Sequence, residues 1–181
     1  QLATIDAPLV LELIASAAIA TSPKIERSLD IGCGAGNYSL KLAQGYSQTF
    51  ACHLIDLSQP MLERAEERLR AKGITDVKTF NRDIREVSLE AEAYDVVLAA
   101  AVFHHLREAS EWEAVFSKIY RCLRPGGSVW ISDLVTHDHA AIQQLMWERY
   151  GDYLESVNGP DYRSDVFAYI DIEDSPRSVS F

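Results

Sequence analysis

The stretch LDIGCGAGNYS, Leu29 to Ser39, sets three glycines at alternate positions, Gly32, Gly34 and Gly36, between an apolar run and an amphipathic one. The spacing predicts a turn where a strand hands over to a helix and a ligand comes close to the backbone. Glycine removes the Cβ that would block that approach and admits dihedrals that other residues avoid. A tight turn without a ligand could use the same letters, so a second signal is needed. Asp56 supplies it, twenty residues past Gly36 at the end of the apolar run FACHLI. A carboxylate on the neighbouring strand tip can accept hydrogen bonds from both hydroxyls of a ribose, which points to a nucleoside-bearing ligand.

The third glycine narrows the choice of nucleoside. A dinucleotide turn reads GxGxxG, so that a helix N-terminus meets a pyrophosphate, but the sixth residue counted from Gly32 is Asn37 and the pattern is GxGxG. Asp30 would face a pyrophosphate unfavourably, yet it could help orient a cationic amino-acid moiety. Both features favour a cofactor with an ammonium and a sulfonium.

Outward from this turn, short apolar runs alternate with amphipathic stretches, the order expected of an α/β fold with a mainly parallel, doubly wound sheet. Strands are expected at 28–31, 49–55, 77–80, 94–100 and 128–135, and helices at 8–20, 38–44, from Ser58 to Gly73, from Ser110 onward, and at 139–157 before Gly159 and Pro160. The helix after Ser58 should bury Met61, Leu62, Ala65 and Leu69 and show Glu63, Arg64, Glu66, Glu67 and Arg68 to water. Ser110 and Glu113 form a capping-box pattern ahead of a core stripe of Val115, Phe116, Ile119 and Leu123.

With 181 residues and 48% of them apolar, the chain suffices for one globular domain, residues 1–181, with an N-terminal helical segment at 1–24 and a substrate-side helical segment at 137–181. The run from Leu9 to Ala20 is interrupted by Glu12 and Ser16 and is too short to span a bilayer, so a soluble, cytoplasmic protein without a membrane partner is expected. Cys33, Cys52 and Cys122 lack zinc-site spacing and read as reduced, packed thiols. A formal charge of −10 argues against a nucleic-acid partner, because phosphates are neutralised by Lys and Arg.

Five segments in order, LDIGCGAGN, HLIDLS, NRDI (Asn81 to Ile84), YDVVLAAAVFHHL (Tyr94 to Leu106) and LRPGGSVWISD (Leu123 to Asp133), resemble the class I S-adenosylmethionine-dependent methyltransferases. The resemblance covers Ile25 to Val135. It implies a Rossmann-like strand order 3-2-1-4-5 and S-adenosylmethionine as cofactor. It further implies that Gly32, Gly34 and Gly36 line the methionine part, that Asp56 holds the ribose and that Leu57 borders the adenine. Asp83 would meet the adenine amino group with the backbone of Ile84 nearby, and the backbone around Ala99 and Ala100 would meet the cofactor's amino group. The acceptor would be a small molecule.

Methyl transfer is an in-line displacement from a sulfonium, itself a good leaving group, so the protein mainly aligns donor and acceptor and excludes water. His104 and His105 follow strand four on the side where the methyl should point. They are the candidate catalytic residues, either accepting a proton or packing to shape the acceptor site. Asp133, His137, Asp138 and His139 lack a further ligand at suitable spacing and read as a polar loop capping the next helix, so no metal is expected. Met146, Trp147, Tyr150, Tyr153 and Leu154 form either a buried stripe or a substrate-contacting face.

Residues 161–181 offer no alternating hairpin, so the final antiparallel strands of the resembled fold are expected to be missing. Val129, Trp130, Ile131, Leu134 and Val135 would then lie on an edge strand that invites pairing, through which the chain could form a homo-oligomer. A non-catalytic cofactor-binding subunit or sensor, and less well a nicotinamide-dependent oxidoreductase, are the competing functions.

Overall fold

A computed structural model describes residues 5–181. Its elements run α1 (Ala7–Thr21), β1 (Arg27–Ile31), α2 (Asn37–Gly45), β2 (Ala51–Asp56), α3 (Gln59–Ala71), β3 (Val77–Asn81), β4 (Tyr94–Ala100), α4 (Ala109–Cys122), β5 (Leu123–Ser132), β6 (Val135–Thr136), α5 (Ala140–Glu173) and β7 (Arg177–Ser178). The first five strands form one sheet in the order β3-β2-β1-β4-β5 with every neighbouring pair parallel, the order that the family resemblance implies. Parallel strands need long crossovers and are covered on both faces, which explains why β4 reads as a nearly continuous apolar run.

Alternation along β4 divides the core. Val96 and Leu98 join Leu42, Leu54, Leu62 and Leu69 on one face. Val97 and Ala99 join Leu29, Ile31, Val115 and Ile119 on the other. Strand order reverses between β1 and β4, so the chains leaving their C-terminal ends diverge and a crevice opens there. The glycine turn, Asp56 and the exit of β4 all lie at that end. Among the described residues no helix is long and apolar enough to cross a membrane.

Several local expectations need correction. Met61 is 45% exposed, because only Leu62, Ala65 and Leu69 fall on the sheet-facing stripe of α3 and Met61 precedes it by about 100° of helix rotation. Arg68 does not simply face water: its guanidinium crosses to the glycine turn. The capping box of α4 is formed by Glu108 and Glu111, two residues ahead of the expected pair. Phe116 is 37% exposed and lies against Phe103 and Trp112 instead of in the deep core, and Leu123 already opens β5.

Strand five ends at Ser132 and not at Val135, because Asp133 turns its carboxylate toward the segment after β4. Val135 instead pairs with Arg177 in a separate parallel pair, β6 with β7. The long helix also continues past Gly159. Non-helical dihedrals at Asn158 and Gly159 fold α5 back on itself, stacking Trp147 on Phe167 at 4.7 Å and setting Arg163 against Asp152 and Glu155.

Candidate functional site

The glycines of the turn have different reasons for being there. A Cβ on Gly36 would lie 2.9 Å from the Cβ of Ala65, so its bareness lets α3 pack against the turn. A Cβ on Gly34, whose φ is +51, would meet no heavy atom within 4 Å. Packing does not demand a glycine at Gly34. The backbone conformation does, and the open space beside it is where a ligand can approach.

Asp56 ties this turn to the tip of β2. Its Oδ2 accepts the Gly34 N–H at 2.7 Å and its Oδ1 accepts the Ser58 N–H at 2.8 Å. Each carboxylate oxygen has two lone-pair directions, so acceptor capacity for two hydroxyls remains. Asn81 on β3 braces the tip by donating to the carbonyls of Asp56 and Leu57 at 3.1 and 2.8 Å. Arg68 braces the turn by donating to the Ala35 carbonyl and, at 2.9 Å, to Asn37. Neither role is visible in a helical or strand pattern, because both side chains reach across loops.

Asp30 is buried at the end of β1, and its Oδ2 accepts the Ser39 hydroxyl at 2.7 Å and the Ser39 N–H at 3.3 Å. Burial pushes its carboxyl up to about 6; the Ser39 hydrogen bonds oppose the rise and the nearby Asp56 charge adds to it. Leu57 is 72% exposed at the strand tip, a large apolar side chain without cover. Asp83 is held in a bidentate pair with Arg85, whose guanidinium also reaches Glu111, and the Arg85 hydrogen bond is the main cause that lowers its pKa. Ile84 and Ala99 are buried.

The other half of the crevice is built on Asp133. Its Oδ2 accepts the N–H groups of Val102 and Phe103 at 3.1 and 2.6 Å, and its Oδ1 accepts from the Leu134 N–H and from Nδ1 of His104. These bonds hold a strained exit, since Ala101 has a φ of +55. Burial pushes the Asp133 carboxyl up, but the His104 and backbone hydrogen bonds outweigh it and leave it below its ordinary value. For His104, burial favours the neutral ring, while the Asp133 hydrogen bond and the charges of Asp133 and Asp174 raise its pKa on balance. His105 is lowered by burial and by its neighbour His104.

The two candidate histidines therefore differ. His104 is buried and committed at Nδ1; the side chain of His105 is 49% exposed. Asp174, just past α5, joins them with its Oδ1 3.7 Å from Nε2 of His104 and 3.3 Å from Nδ1 of His105. The Ser175 N–H donates to the His104 carbonyl at 2.6 Å and fastens this segment in place. His137, Asp138 and His139 do not join the cluster. His139 caps α5 by accepting the Ala141 N–H, and Asp138 accepts from Ser180. Of the aromatic stripe, Leu154 is fully buried, Trp147 and Tyr150 pack on Phe167, and Met146 is 44% exposed.

The methyltransferase domain family matches residues 29–127, which run from the first residue of the glycine motif to the turn of β5. The chain belongs to the class I S-adenosylmethionine-dependent methyltransferases. This methyltransferase chain is 29% identical over 133 residues to the carboxy-S-adenosyl-L-methionine synthase of Klebsiella pneumoniae strain 342, covering 72% of the chain and 52% of that protein. The synthase of Escherichia coli K12 / DH10B is 29% identical over 132 residues with the same shares. The chain thus spans about half the length of the curated relatives it matches. Its fold resembles the YcgJ protein from Bacillus subtilis, with a TM-score of 0.66 at 17% identity over 96% of this chain and 64% of that one. It also resembles the CcbJ methyltransferase from Streptomyces caelestis, with a TM-score of 0.57 at 25% identity over 69% and 52%.

Proposed function

We propose that the chain binds S-adenosylmethionine in the crevice and transfers its methyl group to a small-molecule acceptor. The observation that carries this reading is the open position at Gly34, hydrogen-bonded to Asp56 within a GxGxG turn. On this reading Gly32, Gly34 and Gly36 approach the methionine part and Asp56 takes the ribose hydroxyls. Leu57 covers the adenine, and Asp83 and the Ile84 backbone meet its edge. Asp30 and the Ala99 backbone orient the amino-acid end. His105 lines the acceptor side, and His104 positions it from behind.

A second reading is favoured by the carboxy-S-adenosyl-L-methionine synthases, which match 72% of the chain. Here the cofactor itself would be the molecule modified. Incubation with S-adenosylmethionine, pools of small acceptors and, in parallel, pools of small carboxylic acids as carboxyl donors, followed by mass spectrometry of the nucleoside product, separates the two. Methyl transfer yields the demethylated nucleoside and a methylated acceptor; the second reading yields a carboxylated nucleoside. Recovery of unchanged cofactor throughout would leave a binding subunit or sensor.

The outer edge of β5 has no strand partner among the described residues, which supports self-association through that edge. Light scattering over a dilution series should show mass falling with concentration. A constant monomer with protected β5 amides would contradict it.

A further inference from the structure

We propose that His104, His105 and Asp174 form a binding site for one divalent transition-metal ion of the zinc and iron(II) class. One ligand atom from each of these three side chains lies within 4.8 Å of the other two, and Oδ1 of Asp174 stands 3.7 Å from Nε2 of His104 and 3.3 Å from Nδ1 of His105. The Asp174 side chain is 3% exposed, and its Oδ1 is buried with no hydrogen-bond partner, although His105 Nδ1 stands 3.3 Å away. A buried carboxylate oxygen left without a bond is costly, and a cation between it and two imidazoles removes that cost.

The orientation of His104 fits the same purpose. Its Nδ1 is bonded to Asp133, which leaves Nε2 as the free ring nitrogen, 3.7 Å from Oδ1 of Asp174. A carboxylate behind a ligating imidazole fixes its tautomer and orientation in just this way. With metal–ligand bonds of about 2.0–2.2 Å, neighbouring ligand atoms stand about 3.0–3.5 Å apart, and the half-exposed His105 ring can rotate to close the remaining distance. Two nitrogens and one oxygen suit zinc, iron(II), cobalt or nickel better than magnesium or calcium, which take oxygen ligands. Three protein ligands leave coordination positions open. Methyl acceptors with a metal-binding oxygen, such as a hydroxy acid or an enol, would fill them; this last clause rests on the methyl-transfer reading, whereas the metal site does not.

The test titrates the chain with cobalt(II) chloride and zinc chloride alone and records visible ligand-field absorption and binding heat. One cobalt per chain, displaced by zinc, is expected. Asp174→Asn and His105→Gln, both checked by circular dichroism, should each weaken zinc binding on the order of a hundredfold, and Asp133→Asn, which keeps all three ligands, about tenfold. Absence of stoichiometric binding, or affinity unchanged in folded Asp174→Asn and His105→Gln, overturns the site. Titrating S-adenosylmethionine into the same samples keeps the two readings apart: if the cofactor binds while the metal does not, only the metal site fails.

Discussion

The two walls of the crevice are made in opposite ways. On the side of β1 and β2, the site is a short turn and a strand tip whose central contacts are backbone groups and Asp56, with Arg68 and Asn81 bracing them from outside. On the side of β4 and β5, His104 is held by Asp133 and faced by Asp174, side chains brought together from three distant parts of the chain. A wall built from local backbone can hold a cofactor whose shape does not change. A wall built from distant side chains can be altered one residue at a time, which suits the part of a site that meets a variable substrate.

The largest effect that would sharpen this contrast is expected at Gly34. Gly34→Val fills the open space and forces a branched residue into a left-handed conformation. It should abolish S-adenosylmethionine binding while costing about 1–3 kcal/mol of stability. Calorimetry paired with thermal unfolding reads both, and normal affinity would make the turn purely structural. On the opposite wall, His105→Ala should lower turnover by about a hundredfold and leave cofactor affinity near the wild-type value. A proportional loss of both, tracking unfolding, would mean that His105 is only packed there.

Asp56→Ala removes an acceptor for two hydroxyls and the brace for Gly34. Hydrogen bonds to charged groups are worth about 1.5–3 kcal/mol each, so affinity should fall about tenfold or more. An unchanged dissociation constant in a folded variant would remove Asp56 from the ribose.

A further contrast concerns pH. Asp30 titrates near 3.8 when unfolded and at about 6 when folded, so in that window the folded chain holds more protons and stability falls as pH rises. His53 on β2, half-buried and beside the charges of Arg27 and Lys78, is pushed down from 6.5 to about 4, mainly by its partial burial. Its contribution is present above about 6.5 and is lost as pH falls toward 4, opposite in sign to that of Asp30. Asp30→Asn should therefore gain about 3 kcal/mol relative to wild type between about pH 4 and about pH 7, read by urea unfolding. A difference independent of pH would contradict the buried, ionising Asp30.

The same contrast explains what could be read from the sequence. The glycine turn and β4 were legible because their signals are local: alternate glycines, a continuous apolar run and a strand tip ending in Asp56. Asp174 was not legible, since nothing near it in sequence distinguishes it from other surface carboxylates; only the fold of α5 and the Ser175 bond to His104 bring it in. Asp133 was noticed for its sequence neighbours His137 and His139, whereas its partner is His104, and that pairing also ends β5 early. The second arm of α5 was missed because Gly159 and Pro160 read as a stop, while Pro160 in fact opens a new helical arm, a position where its missing N–H does no harm.

The most direct test of the central claim is calorimetric titration of the wild-type chain with S-adenosylmethionine and, separately, with NAD. Saturable binding of one S-adenosylmethionine per chain, with no heat from NAD, is the predicted result. A folded chain that binds NAD, or that gives no heat with S-adenosylmethionine, would contradict the assignment of the glycine turn and Asp56 to this cofactor.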